Sequence, residues 1–246
     1  EVDEAAPASS EPKPGVRLTF DDDHAFKVRP IFHQQLGTHL GIPKPYYDRM
    51  LAEAPMLLAN NVNEWLGREV GHKRMVRTLD GDARAFLSDR FRPLDHFDLA
   101  EAVLPVLQKI GAVVLSSEVT ERRMYIKAVD EKINRQCPTG RRMGDGSHVA
   151  FDTCCAAITI RNSEVGMGSM EIATSVFTRA CTNLATYGDR SIRRAHVGGR
   201  HEIGEDVYAM LTDETKRLDS AALWGKVRDL TAASFDEAKF ASMIDK

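Results

Sequence analysis

The sequence predicts an α+β protein, with antiparallel β-hairpins forming one sheet packed on helices, an N-terminal helical pair and a C-terminal helical tail. Three observations predict this class. Apolar residues recur with a helical period over residues 30–66, an Asp80-Gly81 pair separates two β-rich runs, and apolar and polar residues alternate within residues 153–161. Helices and hairpins in this order along one chain are typical of an α+β fold.

Length and charge set the expected organisation. At 246 residues, of which 43% are hydrophobic, the chain can bury a substantial core, and one large or two small domains are both allowed. We predict a disordered acidic leader at residues 1–15, a single α+β domain at residues 16–204 and a helical tail at residues 205–246. The formal net charge is −3, yet seven acidic and two basic residues lie within residues 1–24, which leaves 31 basic and 29 acidic residues elsewhere. The predicted folded body is therefore mildly basic.

Two features bear on the compartment. No apolar run approaches the roughly 18 residues that a spanning helix needs, and the first residues are acidic where a signal peptide would be cationic and then apolar. The four cysteines, two of them adjacent, indicate reduced thiols. We therefore predict a cytoplasmic protein without a membrane partner.

Residues 30–66 predict helices broken at Gly41-Ile42-Pro43. This pattern is also that of a helix-turn-helix, which would read duplex DNA with Lys44 and Arg49 at the start of its second helix. Two helices that only pack together are the other interpretation. Trp65 is interpreted as a core residue, and an exposed ring that stacks on a base is the alternative.

Two hairpins and a helix are predicted next. Asp80-Gly81 accepts the positive φ of a tight turn, so residues 75–87 predict the first hairpin. A helix is predicted from Asp95 to Ile110. Strands at residues 112–119 and 123–129 form the second hairpin, and residues 134–148 predict a flexible basic loop.

The central segment changes its pattern three times. A strand at residues 153–161 is followed by an extended run at residues 163–172, which Gly166 and Gly168 bend. From Thr174 the apolar spacing becomes helical. The predicted order is strand, glycine-bent strand, helix and cationic loop.

Several phrases of the sequence resemble one known family. They are Gly41-Ile42-Pro43-x-x-Tyr46-Tyr47, the run AFLSDRFRPLD at residues 85–95, Asn162-Ser163-Glu164-Val165-Gly166-x-Gly168, Arg179-x-Cys181-Thr182-Asn183 and Arg193-Arg194-x-His196-Val197-Gly198. Over roughly residues 31–201 the chain resembles the bacterial phage/plasmid-like family catalogued as domain of unknown function nine hundred and thirty-two. The resemblance implies a phage or plasmid association and no defined activity.

Motifs for catalysis are scarce. The sequence has no Gly-x-Ser-x-Gly, Walker-type phosphate loop, His-Glu-x-x-His or spaced Cys-x-x-Cys pair. A zinc site is disfavoured because the two adjacent cysteines point to opposite faces of a strand. An enzyme acting on nucleic acid or nucleotide through Glu164, Cys181 and His196 is an alternative, although a turn hydrogen bond or an ion pair with Arg161 would also explain Glu164. We predict no catalytic residue, no metal and no cofactor.

Cationic and aromatic side chains on the predicted strands favour a nucleic-acid surface. Guanidinium groups fit phosphates, hydroxyls add neutral donors, and aromatic rings stack on unpaired bases. A solvated sheet whose charges block edge pairing is the alternative. The predicted binding residues are Lys73, Arg74, Arg77, Arg123, Tyr125, Lys127, Arg141, Arg142, Arg161, Arg179, Arg190, Arg193, Arg194 and Arg200.

The order of hairpins and helices, with a basic strand face, also resembles that of single-strand annealing recombinases, although no residue motif carries this remote likeness. It implies a ring or filament whose basic groove holds a strand by its phosphates without a nucleotide cofactor. We therefore predict a phage or plasmid-type protein, not an enzyme, that binds single-stranded DNA as a homo-oligomer and anneals it in recombination. A helix-turn-helix regulator, a nucleic-acid-processing enzyme and a purely structural assembly protein are the alternatives.

Overall fold

The computed structural model describes residues 16–19, 25–69, 71–142, 149–178, 181–185, 191–194 and 210–244, and of residues 138–142, 149–150, 181–185 and 191–194 it describes the backbone alone. The chain divides into two compact units, residues 1–89 and residues 90–246. Both units combine helices with a sheet, so the predicted α+β class is confirmed. The leader predicted at residues 1–15 lies outside the described residues, and the domain bounds 16–204 stay a prediction.

The first unit has a four-stranded sheet with strand order β1-β2-β4-β3 and three helices. Its strands are β1 (Arg17–Thr19), β2 (Ala25–Val28), β3 (Arg74–Leu79) and β4 (Asp82–Ser88). Its helices are α1 (Pro30–His39), α2 (Lys44–Glu53) and α3 (Pro55–Gly67). Each helix has a proline in its first two positions, where the missing N–H costs nothing. Three helices therefore occupy the region for which a helical pair is predicted.

The first predicted hairpin is confirmed. Strands β3 and β4 pair antiparallel, and the turn between them has positive φ at Asp80 (51°) and Gly81 (78°). Two consecutive positive φ values are the geometry of a type I′ turn, which an Asp-Gly pair adopts at little cost. The Asp80-Gly81 pair therefore predicts the position of this turn correctly.

The second unit has a six-stranded sheet in which β10, β8, β7, β6 and β5 are neighbours in that order and β9 also pairs with β8. Its strands are β5 (Val113–Val119), β6 (Met124–Arg142), β7 (Val149–Asn162), β8 (Met170–Thr178), β9 (Cys181–Ala185) and β10 (Ser191–Arg194). Its helices are α4 (His96–Ile110), α5 (Asp213–Ala233) and α6 (Glu237–Ile244). The sequence predicts one sheet, and the structure has two; this part of the prediction is wrong.

The helices of the second unit cover one face of its sheet. Ile126, Ile158 and Ile172, from three neighbouring strands, form one core with residues of α4 and α5 such as Leu107 and Val227. Helix α4 ends at Gly111, whose φ of 84° suits glycine, and β5 follows at once. The predicted helix over residues 95–110 and the strand pair after it are confirmed. The opposite side of this sheet, which faces away from α4 and α5, is called the far face below.

The helix predicted from Thr174 is wrong, because these residues form β8 and β9. Ile172 and Val176 face the helix-covered core, whereas the buried Ala173 and Ser175 alternate with them on the far face. A strand buried on both faces shows no clear alternation of apolar and polar residues, so its spacing resembles that of a helix. The β-branched residues of this run favour the strand.

Two predicted loops are also corrected. Residues 134–142 belong to the long strand β6, which pairs with β7 as far as Arg142 opposite Val149; residues 143–148 lie outside the described part. Residues 191–194 of the predicted cationic loop form β10 against β8. Both segments obtain backbone hydrogen bonds from neighbouring strands, which their basic sequence does not reveal.

The described part of the predicted tail is helical and contributes to the core. Leu223 and Val227 of α5 and Phe240 of α6 are buried, whereas Leu218 of α5 is exposed. Among the described residues, no helix combines the length and the hydropathy that crossing a membrane requires.

Candidate nucleic-acid interface

Four of the predicted binding residues lie close together on β6 and β7. Tyr125 and Lys127 alternate with core residues of β6, and Arg161 pairs with Tyr125 in register on β7. This parity places all three side chains on the far face. Arg123 is one residue before β6 and shares their parity. The structure therefore groups Arg123, Tyr125, Lys127 and Arg161 at one end of the sheet.

Arg161 is the centre of this group. Its guanidinium carbon lies 6.0 Å from the centre of the Tyr125 ring, within the range of a cation–π contact. Its Nη1 lies 3.6 Å from Glu171 Oε2, which is too long for a good hydrogen bond, and the side chain is 43% exposed. The ion pair with Glu164 suggested by the sequence is replaced by this contact with Glu171. Arg161 therefore retains N–H groups that can donate hydrogen bonds to an anionic ligand.

Beside this group the far face carries polar residues, and its centre is buried. Thr159 pairs with Lys127 in register and is 3% exposed. Its hydroxyl oxygen lies 3.4 Å from that of Ser175, which is 0% exposed. Lys127, Tyr125 and Arg161 are half-buried. A ligand can therefore reach the end of the face that bears Arg161, and not its centre.

Arg123 has a structural contact that the sequence does not reveal. Its Nε donates to the carbonyl of Met167 at 2.8 Å, in the turn between β7 and β8, and its Nη2 contacts the same oxygen. A Cβ atom at Gly168 would lie 3.0 Å from Arg123 Nε, while Gly166 has a φ of 71°. The two glycines therefore serve a tight turn and a close approach, as the predicted bend implies.

The other predicted binding residues are not part of this group. Lys73, Arg74 and Arg77 belong to the first unit, where Arg74 lies over the Phe86 ring and 3.6 Å from Glu69. The structure gives the backbone positions of four arginines and no side chains; these are Arg141 and Arg142 at the end of β6, and Arg193 and Arg194 in β10. Arg179, Arg190 and Arg200 lie outside the described residues.

A polar clasp, formed by Asn162, His96 and Glu164, joins the end of β7 to the start of α4. The Asn162 Nδ2 group donates to the Leu94 carbonyl at 2.7 Å and lies 3.0 Å from His96 Nδ1. Glu164 Oε1 accepts from the His96 backbone N–H at 2.6 Å and so caps α4, whose N-cap residue Asp95 makes no side-chain cap. A carboxylate at a helix N-terminus satisfies a free N–H and complements the helix dipole. This contact gives Glu164 a structural role at a helix end 68 positions away, in place of the local turn hydrogen bond or the Arg161 ion pair that the sequence suggests.

The clasp is the main feature that the sequence analysis missed. Its residues lie up to 68 positions apart, so no local pattern connects them. One signal is the polar Asn162 at the end of an apolar strand, where it is 1% exposed and its Oδ1 has no partner among the described residues. Ser163 beside it is also buried, and its hydroxyl donates to the Arg122 carbonyl at 2.7 Å.

Three of the four cysteines have described side chains. These three, Cys137, Cys154 and Cys155, are buried and form no disulfide bond. Cys154 belongs to the helix-covered core and Cys155 to a separate cluster with Val129 and Ala157, so the adjacent pair faces opposite sides, as predicted. Burial, together with the neighbouring Cys137, raises the pKa of Cys154 to about 12, which keeps it protonated and unreactive. Within the described residues no three His, Cys, Asp or Glu side chains are grouped as a metal site.

The alternative helix-turn-helix rests on two cations that have partners on their own helix. Lys44 pairs with Asp48, and Arg49 donates to Glu53 at 2.9 Å, both four residues apart on α2. Exposed ion pairs of this kind are weak, so they only partly reduce the attraction of the two cations to DNA phosphates. Cys181 lies in β9 instead of a helix, with its backbone alone described, and His196 lies outside the described residues. The expectation of a core Trp65 is wrong, since its ring is 46% exposed and stacks with Arg68.

A half-buried histidine in the first unit makes the stability of this unit depend on pH. His33 Nδ1 lies 2.8 Å from the Tyr47 hydroxyl, and burial lowers the pKa of His33 to about 4 despite the nearby Asp48. Burial also raises the pKa of Tyr47 to about 12, so the hydroxyl keeps its proton and donates it to neutral His33. In the unfolded chain the pKa of His33 returns to 6.5, and the unfolded state then binds more protons between these two values.

We expect the first unit to lose about 2 kcal/mol of stability as the pH falls from 6.5 to 4, an amount that allows for partial solvent screening. The measurement is urea unfolding followed by Trp65 fluorescence in a Trp224→Phe background, since the chain has two tryptophans, one in each unit. His33→Gln keeps an acceptor for Tyr47 and cannot titrate, so it should remove most of this loss. An equal loss in wild type and His33→Gln would contradict the assignment.

The chain matches no family model, no curated protein and no solved structure. Both resemblances drawn from its sequence therefore stay predictions.

Proposed function

We propose that the second unit binds single-stranded DNA along the end of its far face that bears Arg161. The contact between the Arg161 guanidinium and the Tyr125 ring carries this proposal, because it sets a phosphate-binding group beside a group that stacks on bases. Lys127 adds a second cation two residues from Tyr125 on the same face. Single strands are bound by this combination of cations and aromatic rings, whereas duplex reading needs an element that enters a groove.

Annealing is the finer part of the proposal. A strand held through its phosphates leaves base edges free to test a second strand, and this needs no nucleotide cofactor. The hairpin of β6 and β7 continues beyond β5, which pairs only with Met124 to Val129, and Arg141 and Arg142 lie at its other end, away from Arg161. They are therefore not part of the path proposed for the strand. The phage or plasmid association and the cytoplasmic location belong to the same proposal.

Fluorescence anisotropy with a labelled single strand, compared with the matching duplex across a salt series, tests the proposal. Lys127→Ala with Arg161→Ala should weaken single-strand binding by about 10- to 100-fold at low salt and reduce the log–log salt slope by roughly 1.4, as expected for two lost phosphate contacts. Tyr125→Ala should weaken binding by about 10-fold and leave the salt slope unchanged, because stacking releases no counterions.

The matched control is Lys44→Ala with Arg49→Ala, which removes one lysine and one arginine from exposed positions on α2. Single-strand affinity should stay within about 2-fold of wild type in this variant, apart from the small effect of net charge. If wild type binds no single strand at low salt, the proposal is wrong. If duplex is preferred and the control variant loses that binding, the helix-turn-helix alternative replaces it.

A further inference from the structure

Strand β5 forms an edge of the six-stranded sheet, and it is exposed along its whole length. It pairs on one side with β6, and no described strand pairs with its other side. All seven residues from Val113 to Val119 are exposed, so neither face of the strand is covered. Its large apolar residues, Val113, Val114, Leu115 and Val119, are between 40% and 67% exposed. An open, apolar, β-branched edge of this kind is a template for another strand.

Strand β5 has few of the features that usually prevent an edge strand from pairing with another strand. Within β5 there is neither a proline nor a lysine, and Glu118 is its one charged residue. A register shift between Val114 and Ser116 leaves residues 116–119 in regular pairing with β6. This regular part can accept a second strand without a break in its hydrogen-bond ladder.

We propose that β5 pairs antiparallel with β5 of a second copy of this chain, around a two-fold axis at Ser117. Ser116 and Glu118 share the far face, since they pair with Lys127 and Tyr125, whereas Ser117 and Val119 lie on the helix-covered side. Pairing around Ser117 places the Ser116 hydroxyl of each copy opposite the Glu118 carboxylate of the other. It also brings Leu115, which the register shift leaves unpaired with β6, next to Val119 of the other copy, so donor meets acceptor and apolar meets apolar.

The alternatives for this edge are less complementary. Pairing centred on Glu118 would set two carboxylates opposite each other, which is unfavourable. A peptide of unrelated sequence would find no charge in β5 to select it except Glu118. The self-complementary arrangement is isologous and therefore closes as a dimer.

The dimer lengthens the candidate interface. This consequence rests on the proposed function. A two-fold axis perpendicular to the sheet keeps the far faces of both copies on the same side. Tyr125 of one copy would then lie three strand spacings across and two residues along from Tyr125 of the other, a distance of about 16 Å. The two Arg161 groups would form one longer surface, which a single strand can follow across both copies.

Sedimentation velocity from about 1 to 200 µM tests the pairing. Wild type should show a monomer–dimer equilibrium with a dissociation constant on the order of 10 µM, as expected for a small interface. Two variants with charged edges, Leu115→Lys with Val119→Lys and Leu115→Glu with Val119→Glu, should each be monomeric over this range. An equimolar mixture of the two should dimerise again, because each lysine then meets a glutamate.

Three results would each refute the pairing: wild type that stays monomeric at 200 µM, an open series of larger species, or charged variants that associate as wild type does. Urea unfolding followed by Trp224 fluorescence verifies that these exposed substitutions leave the second unit folded. Single-strand binding is measured on the same samples. A dimer that binds no DNA refutes the proposed function and supports the pairing, whereas a monomer that binds DNA does the reverse.

Discussion

Replacing Asn162 with alanine is expected to lower the free energy of unfolding of the second unit by about 3 kcal/mol. The change leaves two acceptors, the Leu94 carbonyl and His96 Nδ1, without the amide that now donates to them at 2.7 and 3.0 Å. Asn162 is 1% exposed, so water cannot easily replace these bonds. The loss also weakens the clasp that holds the start of α4 against the end of β7.

Urea unfolding followed by Trp224 fluorescence in a Trp65→Phe background measures this effect, because Trp224 packs against the core of the second unit. Asn134→Ala is the matched control. The Asn134 amide donates to the Glu131 carbonyl at 2.8 Å, but the site is exposed, so its loss should cost less than about 1 kcal/mol. Equal losses in the two variants would show that burial of the clasp contributes nothing.

The elements that the sequence predicts correctly are those with local signals. Asp80-Gly81 identifies a turn by its own backbone preference, and Gly111 ends α4 for the same reason. The strand at residues 153–161 is recognisable because Thr159 and Arg161 alternate with two isoleucines. In each case the deciding interaction lies within a few residues along the chain.

The errors occur where distant parts of the chain decide the structure. Thr174 and Val176 form a strand because β7 pairs with β8 on one side and β9 and β10 pair with it on the other. The same apolar residues, without these neighbours, fit a helix equally well. The first sheet requires β2 to pair in parallel with β4, with Lys27 opposite Asp82, and no sequence period can indicate a pairing between such distant residues.

The candidate interface was predictable in part for the same reason. Tyr125, Lys127 and Arg161 follow from alternation in strands that the sequence locates correctly, so their shared face could be expected. The contact of Arg161 with Glu171 requires knowledge that β8 is a strand in register with β7. Glu171 lies in the run 163–172 that the sequence predicts to be extended, but its register with β7 follows from strand pairing and not from a local pattern.

Valine in place of Gly37 is expected to destabilise the first unit by about 3 kcal/mol. A Cβ atom at Gly37 would lie 2.9 Å from Cδ2 of Tyr47, and this ring is 3% exposed with its hydroxyl bonded to His33, so it has no room to move. The better helix propensity of valine offsets only a few tenths of a kcal/mol. Gly67→Val, at the end of α3 with no atom within 4 Å of its Cβ position, should change stability by less than about 0.5 kcal/mol.

Trp65 fluorescence in the Trp224→Phe background measures both glycine variants. A Gly37→Val protein as stable as Gly67→Val would show that α1 and α2 are not in close contact at this point. The expected large difference would mean that Gly37 is required for packing against α2, through Tyr47. This contact explains the glycine at position 37 of α1 without any role in DNA reading, because a close helix–helix approach needs a residue without a side chain whatever the two helices bind.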